Sequence, residues 1–183
     1  MEKSVLMGGF GGQGVQTCGK LLIYTTAEQD MIATFYSQYG GAMRGGTSNC
    51  TVITSDEEIG APNKKNVDYV VAFNIPSFKK FEERIVPGGT MIANSTVISE
   101  DMATRDDINY VFFPATQIAE DVGNVKTLNV VMLGFFCEYS GMVSTEAAKA
   151  VVADKMGKKP ALLELNKKAF DIGVAEAKKA KAC

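Results

Sequence analysis

Nine residues near the start of the chain, Met7-Gly8-Gly9-Phe10-Gly11-Gly12-Gln13-Gly14-Val15, are of the types best suited to holding an anion. Gly9, Gly11 and Gly14 satisfy a G-x-G-x-x-G spacing. A turn without β-carbons lets backbone N–H groups approach a charged group at the start of a helix. Gln13 adds an amide at the centre. A tight turn that needs glycine only for its own geometry would share the spacing. Two features favour the ligand-facing reading: the strand-turn-helix context, and more glycine than a turn requires. A dinucleotide site would also place an acidic residue at the end of the second strand, about twenty residues on, to hold a ribose. The second predicted strand spans residues 31–36, with Asp30 before it and Ser37-Gln38-Tyr39 after it. No carboxylate stands where the ribose would be, which argues against an ordinary nicotinamide site.

A second glycine-rich stretch follows, Tyr39-Gly40-Gly41-Ala42-Met43-Arg44-Gly45-Gly46. One reading is a hairpin connection that uses positive φ angles. The other is a loop that presents Arg44 to a phosphate or carboxylate, with Gly45 and Gly46 as its hinge. An arginine among glycines has few neighbours to cover its apolar stem, so packing explains it poorly.

The missing residue types are equally informative. The chain has no histidine, which removes the commonest general base, the usual zinc ligand and every Ser-His or Cys-His device. Its four cysteines, Cys18, Cys50, Cys137 and Cys183, are far apart and form no C-x-x-C pair. They read as reduced thiols, and no iron–sulfur ligand spacing is present. If the protein takes part in catalysis, the proton and electron chemistry resides elsewhere.

These candidates need a scaffold. A length of 183 residues fits one domain with a sizeable core. The net charge of -2 gives no support to nucleic-acid binding. No apolar run reaches about 18 residues, so no membrane span is predicted. Met1-Glu2-Lys3-Ser4 lacks an export signal, and the expected location is cytoplasmic. Val5-Leu6-Met7 reads as the first strand, followed by a helix over residues 16–28 with Val15, Cys18, Leu21 and Leu22 at helical spacing. Residues 47–55 form a β-prone run, and Asp56-Glu57-Glu58 a solvated turn. Residues 67–73 are nearly all apolar, as suits a strand covered on both faces. A helix then opens at Asn74-Ile75-Pro76-Ser77, carries Phe78, Phe81 and Ile85 on one face, and ends at Pro87-Gly88-Gly89. Residues 90–93 are the next strand, with Asn94 read as a turn asparagine. Residues 102–107 are predicted surface loop and residues 110–113 a strand. A helix from Pro114 stops at Gly123.

Residues 129–137 are apolar almost all round, which predicts a buried helix or one lying against a partner. Asn129 at its start needs hydrogen-bond partners there. A helix with Ala147, Val151, Val152 and Met156 on its apolar face closes at Gly157. The last helix runs from Ala161 to about Ala177, with Leu162, Leu165, Ala169, Phe170 and Ile172 facing the core, and ends in a frayed lysine tail. Strands alternate with helices, so the expected fold is α/β: one Rossmann-like domain over residues 1–183, with a mainly parallel sheet and helices on both faces.

Three segments occur together in a telling order: Gly9-Phe10-Gly11-Gly12-Gln13-Gly14-Val15, then Tyr39-Gly40 with Arg44-Gly45-Gly46-Thr47-Ser48-Asn49-Cys50, then Asn129-Val130-Val131-Met132-Leu133-Gly134. Across nearly the whole chain this set resembles the gamma subunit of 2-oxoacid:ferredoxin oxidoreductases. The same domain forms the middle of single-chain pyruvate:ferredoxin enzymes. The Met43-Arg44-Gly45-Gly46-Thr47 and Asn49-Cys50 pattern is most similar to the 2-oxoglutarate or branched-chain branch. The resemblance implies an enzyme that decarboxylates a 2-oxoacid on thiamine diphosphate, sends electrons through iron–sulfur clusters to ferredoxin and leaves the acyl group on coenzyme A. Thiamine diphosphate, magnesium and the clusters are then expected in alpha, beta and ferredoxin-like delta subunits. The gamma chain would pack beside that centre and help bind coenzyme A through Gly9, Gly11, Gly12, Gln13, Gly14, Arg44, Gly45 and Gly46. One departure stands out: the family's second motif usually carries a glutamate where this chain has Ala42, so a carboxylate role for this loop is in doubt. Two other readings remain, an independent nucleotide-binding oxidoreductase of Rossmann type and a purely structural subunit in which Arg44 pairs with a partner's carboxylate.

Overall fold

The computed structural model describes residues 2–39, 47–156 and 160–182. Its strands are β1 (Lys3–Phe10), β2 (Ile32–Tyr39), β3 (Thr47–Ser55), β4 (Val67–Ala72), β5 (Ile85–Asn94) and β6 (Asn109–Phe113). Its helices are α1 (Val15–Ala27), α2 (Ile75–Phe81), α3 (Ala115–Val122), α4 (Leu128–Ser140), α5 (Thr145–Met156) and α6 (Pro160–Ala182). One six-stranded sheet has the order β2-β3-β1-β4-β5-β6. The β1–β4, β4–β5 and β5–β6 pairs are parallel. β3 runs antiparallel to both β1 and β2. The expected α/β fold with a mostly parallel sheet is present. The addition is the β2–β3 hairpin, which places β3 between β1 and β2.

Alternation along the central strands explains the two layers. Val5 and Met7 of β1, Val71 of β4 and Ile92 of β5 enter one apolar core, which α1, α3, α4, α5 and α6 cover. Leu6, Val70, Met91 and Ala93 enter a second core under α2. Each parallel strand is therefore apolar on both faces, and side chains of period two supply both layers.

Helix α4 forms the centre of the thick layer. Its residues from Leu128 to Cys137 are all buried, so an apolar surround replaces the usual stripe. The covering is intramolecular, and α6 presses closest. A β-carbon at Gly134 would lie 2.4 Å from the Phe170 carbonyl oxygen, and one at Gly173 would lie 2.2 Å from that of Val131. The glycine inside the α6 pattern is thus a contact point between two helix backbones.

Several boundaries differ from the sequence-based expectation. α2 ends at Phe81, and a short 3-10 turn, Glu82–Arg84, leads directly into β5. Ile85 therefore opens a strand, and Pro87, Gly88 and Gly89 lie inside that strand. The pairing shifts register between Val67 and Tyr69, and Gly88 has φ of 78°, so the breaker residues form a bulge. α6 continues to Ala182, with Ala177 buried and Lys181 Nζ donating to the Glu138 carbonyl at 2.6 Å. The tail is therefore helical rather than frayed, while Lys178, Lys179 and Lys181 stay exposed. Leu162, expected in the core, is exposed. Gly157 and Cys183 fall outside the described residues.

Candidate functional site

The glycine turn sits at the carboxyl end of β1, the end of an open α/β sheet where ligands gather. The Phe10 carbonyl accepts from the Gln13 backbone N–H at 3.2 Å, and the Gln13 Oε1 accepts from the Phe10 N–H at 2.7 Å. Gln13 thus ties both backbone polar groups of Phe10. Gly12 at φ 98° and Gly14 at φ 77° take up the left-handed conformation that glycine adopts without steric cost. Gly14 caps α1, whose first backbone bond runs from the Cys18 N–H to the Gly14 oxygen at 2.9 Å. No side chain caps this helix and no acidic residue stands in its first turn. Its leading N–H groups lack a side-chain acceptor and carry the positive end of the helix dipole.

A depression of about 330 Å³ opens at this point, bounded by Phe10, Gly11, Gly12, Gly14, Val15, Gln16, Thr17 and Ser48. None of these side chains ionises near neutral pH, so the arrangement can hold an anion through backbone dipoles and cannot relay protons. Gly11 and Gly12 are exposed, with open space where a β-carbon would stand. Gly9 has a different place. It is buried inside β1, where a β-carbon would meet Val15 Cγ2 at 2.7 Å and Gln13 Oε1 at 2.8 Å.

The Gln13 amide is directed by its neighbours. Its Oε1 also accepts from Asn74 Nδ2 at 3.2 Å, while Asn74 Oδ1 caps α2 by accepting from the Ser77 N–H at 3.0 Å. The Nε2 end of the Gln13 amide has no partner among the described residues. Gln16 fixes the first turn of α1 to β3, donating from Nε2 to Ser48 Oγ at 3.1 Å and to the Asn49 carbonyl at 2.8 Å. Asn129, in the first turn of α4, is buried, and its Oδ1 has no partner among the described residues. Its side chain lies against Gly14.

Sequence reasoning singled out neither Gln16 nor Ser48, because their meeting depends on the β1–β3 register. Asn74 was detectable from an asparagine two residues before Pro76 at a helix start. Asn94 is corrected. It is the buried last residue of β5, and it staples three elements by donating from Nδ2 to the Phe73 carbonyl and Thr116 Oγ1 and accepting from the Thr116 N–H.

Arg44, Gly45, Gly46 and Ala42 lie outside the described residues. The residues on either side of that segment are fixed: Thr47 pairs with Phe10, and Ser48 pairs with both Gly9 and Tyr39. Both ends of the segment therefore stand at the edge of the sheet that carries the glycine turn.

Beneath the turn lie Cys18, Cys50 and Cys137, all buried free thiols. Burial pushes Cys50 up to about 12. Cys18 is raised by burial first and then by the nearby Cys50 and Cys137, and Cys137 by burial. A thiol held neutral is a poor nucleophile, so these three serve as core side chains. Among the described residues, no group of three or more His, Cys, Asp or Glu could hold a metal ion.

Comparison with known proteins identifies the family. Residues 4–176 match the family model for pyruvate ferredoxin/flavodoxin oxidoreductase. The 2-oxoglutarate synthase subunit KorC of Methanothermobacter marburgensis is 34% identical over 94% of this chain and 95% of its own length. Ketoisovalerate oxidoreductase subunit VorA of the same organism is 29% identical over 97% of this chain, which spans only 37% of that longer relative. Among solved structures, the keto/oxoacid ferredoxin oxidoreductase gamma subunit of Geobacter sulfurreducens superposes with a TM-score of 0.83 at 27% identity, covering 97% of this chain and 99% of the other. The 2-oxoglutarate:ferredoxin oxidoreductase of Magnetococcus marinus, solved with 2-oxoglutarate, coenzyme A and succinyl-CoA, gives a TM-score of 0.90 at 24% identity, covering 97% of this chain and 31% of that one, and so shares the fold. This chain therefore belongs to the pyruvate ferredoxin/flavodoxin oxidoreductase family, in its gamma-subunit form.

Proposed function

We propose that this chain acts in a multisubunit enzyme that oxidatively decarboxylates a 2-oxoacid, 2-oxoglutarate foremost, to an acyl-CoA and passes the electrons to ferredoxin. In this reading it supplies part of the coenzyme A site and part of the subunit interface, and it is not catalytic alone. The choice of 2-oxoglutarate rests on the KorC relatives, at 34%, 32% and 31% identity. Thiamine diphosphate, magnesium and iron–sulfur clusters belong to alpha, beta and ferredoxin-like delta subunits. The described residues of this chain include no group of three or more His, Cys, Asp or Glu that could hold a metal ion, whereas they offer a phosphate a helix start without a side-chain cap. No helix among the described residues is long and apolar enough to cross a membrane, and a cytoplasmic complex is the setting proposed.

One observation carries the coenzyme A assignment: the open end of α1 and both anchored ends of the Arg44 segment share one edge of the sheet. Arg44 itself lies outside the described residues, three positions before Thr47 in the sequence. In this proposal Gly11, Gly12 and Gly14 give backbone donors, Gln13 gives its Nε2, and Arg44, with Gly45 and Gly46 beside it in the sequence, meets a phosphate. Gly9 acts through packing, by keeping Val15 and Gln13 in place.

The Arg44→Ala variant of the assembled complex tests this. The complex should form normally, with KM for coenzyme A raised about tenfold or more, as for loss of a charge-assisted contact. Failure to assemble, with coenzyme A affinity untouched in the residual complex, would instead mark a structural subunit. Tight binding of a nicotinamide or flavin nucleotide by the isolated chain would favour an independent oxidoreductase. The sheet order opposes that last reading, because β3 stands between β1 and β2. The strand end that would hold a ribose is displaced from the glycine turn.

A further inference from the structure

We infer that Phe10 is an aromatic platform for the adenine ring of coenzyme A, an inference that rests on the coenzyme A site proposed at the glycine turn. The chain has ten phenylalanines, and Phe10 alone among them is an exposed large apolar residue, at 36%. Its ring pairs with no other ring among the described residues. Phe10 borders the depression at the start of α1.

The backbone there is fixed on both sides, since Gln13 takes the Phe10 N–H on its side-chain oxygen and gives its own N–H to the Phe10 carbonyl. An exposed apolar ring on a fixed backbone beside a polar depression gains by covering itself with another flat apolar surface. Coenzyme A brings one. Its adenine is joined to its phosphates through a single ribose, so a phosphate on the N–H groups of Gly11, Gly12 and Gly14 carries the base to the neighbouring residue. The pantetheine arm has no aromatic plane to offer. Stacking of a base on an aromatic side chain corresponds to roughly 5- to 150-fold in affinity.

The test compares two probes on the assembled complex: coenzyme A, and 4′-phosphopantetheine, which keeps the arm and a phosphate but lacks the base. Phe10→Ala should raise Kd for coenzyme A about tenfold, leave Kd for 4′-phosphopantetheine within about twofold, and be reversed by Phe10→Trp. An equal change for both probes, or none for either, overturns the platform role. So does loss of assembly in both the Ala and Trp variants, which would make the ring a subunit contact. Gly12→Ala, which strains a residue at φ 98°, separates this from the underlying proposal. If Gly12→Ala weakens both probes while Phe10→Ala lacks base selectivity, only the platform falls. If Gly12→Ala leaves coenzyme A binding unchanged, the glycine-turn site falls, and the platform with it.

Discussion

The side chain of Asn129 fills the space that a side chain on Gly14 would need: a β-carbon on Gly14 would lie 2.7 Å from Asn129 Cγ and 2.8 Å from Asn129 Nδ2. This contact joins the first turn of α4 to the cap of α1. It gives the polar residue at the head of an otherwise apolar helix a reason to be there. The glycine turn is thus held from three sides, by Asn129 behind it, Asn74 beside it and Gln16 reaching to β3.

Gly14→Ala should therefore carry two separable costs. A left-handed φ of 77° costs a residue with a β-carbon about 1–2 kcal/mol. Overlap with Asn129 adds about 1–3 kcal/mol. Urea unfolding should show the sum in Gly14→Ala, and the overlap share should vanish in the Gly14→Ala, Asn129→Ala double variant. Strict additivity of the two single variants would show that the side chains do not meet.

Gln13→Glu separates the structural from the electrostatic work of this turn. A carboxylate still accepts from the Phe10 N–H and from Asn74 Nδ2, so melting temperature should change little. The new negative charge sits where the positive end of α1 is proposed to meet a phosphate. Coenzyme A affinity of the complex should fall about tenfold at low salt, and the deficit should shrink as added salt screens the charge. Equal affinity for the two proteins at low salt would show that no anion is held there.

The glycine turn was legible because its physics is local: strand, glycines and helix follow one another directly between Lys3 and Ala27. The double-faced burial of β4 was legible for the same reason, since residues 67–73 are nearly all apolar. What the sequence concealed depends on distant partners. Asn129 could be recognised as a buried amide in need of company, but nothing near it names Gly14, and Gln16 meets Ser48 only because β3 pairs with β1. Pro87-Gly88-Gly89 misled because glycine and proline mark a helix end and a strand bulge alike. The lysine-rich end of α6 looked frayed and solvated; its lysines are exposed, but the helix persists to Ala182 and Lys181 reaches a carbonyl of α4.

Gly173→Ala tests the closest helix contact in the molecule. On propensity alone the change should stabilise a helix interior, by roughly 0.5–1 kcal/mol. Here the added carbon would stand 2.2 Å from the Val131 carbonyl oxygen and 3.0 Å from the Phe135 nitrogen. Those are backbone atoms of a buried helix and cannot move aside by changing rotamer, so overpacking should win by about 1–3 kcal/mol. For a chain of this length each kcal/mol is worth about 2–4 °C in Tm. A melting temperature equal to or above that of the unchanged protein would mean that α4 and α6 lie farther apart than this contact requires.

Glu82 gives a pH dependence on the opposite face of the sheet. The residue is buried and accepts from the Thr104 N–H at 3.0 Å, from Thr104 Oγ1 at 2.5 Å and from the Tyr110 hydroxyl. Burial alone would raise its pKa; the hydrogen bonds from Thr104 and Tyr110, aided by the charge of Arg105, outweigh that and hold the carboxyl below its usual value. A carboxylate with a depressed folded-state pKa stabilises the fold fully above its unfolded pKa, and this stability is lost as pH falls through the folded value. Glu82→Gln keeps the shape but turns an amide N–H toward groups that donate, which should cost about 1–3 kcal/mol at neutral pH. The gap between the two proteins, read from urea unfolding across a pH series, should hold steady above about pH 5 and narrow below about pH 4. A gap that stays constant through that acid range would show that the Glu82 carboxylate is not what Thr104 and Tyr110 stabilise.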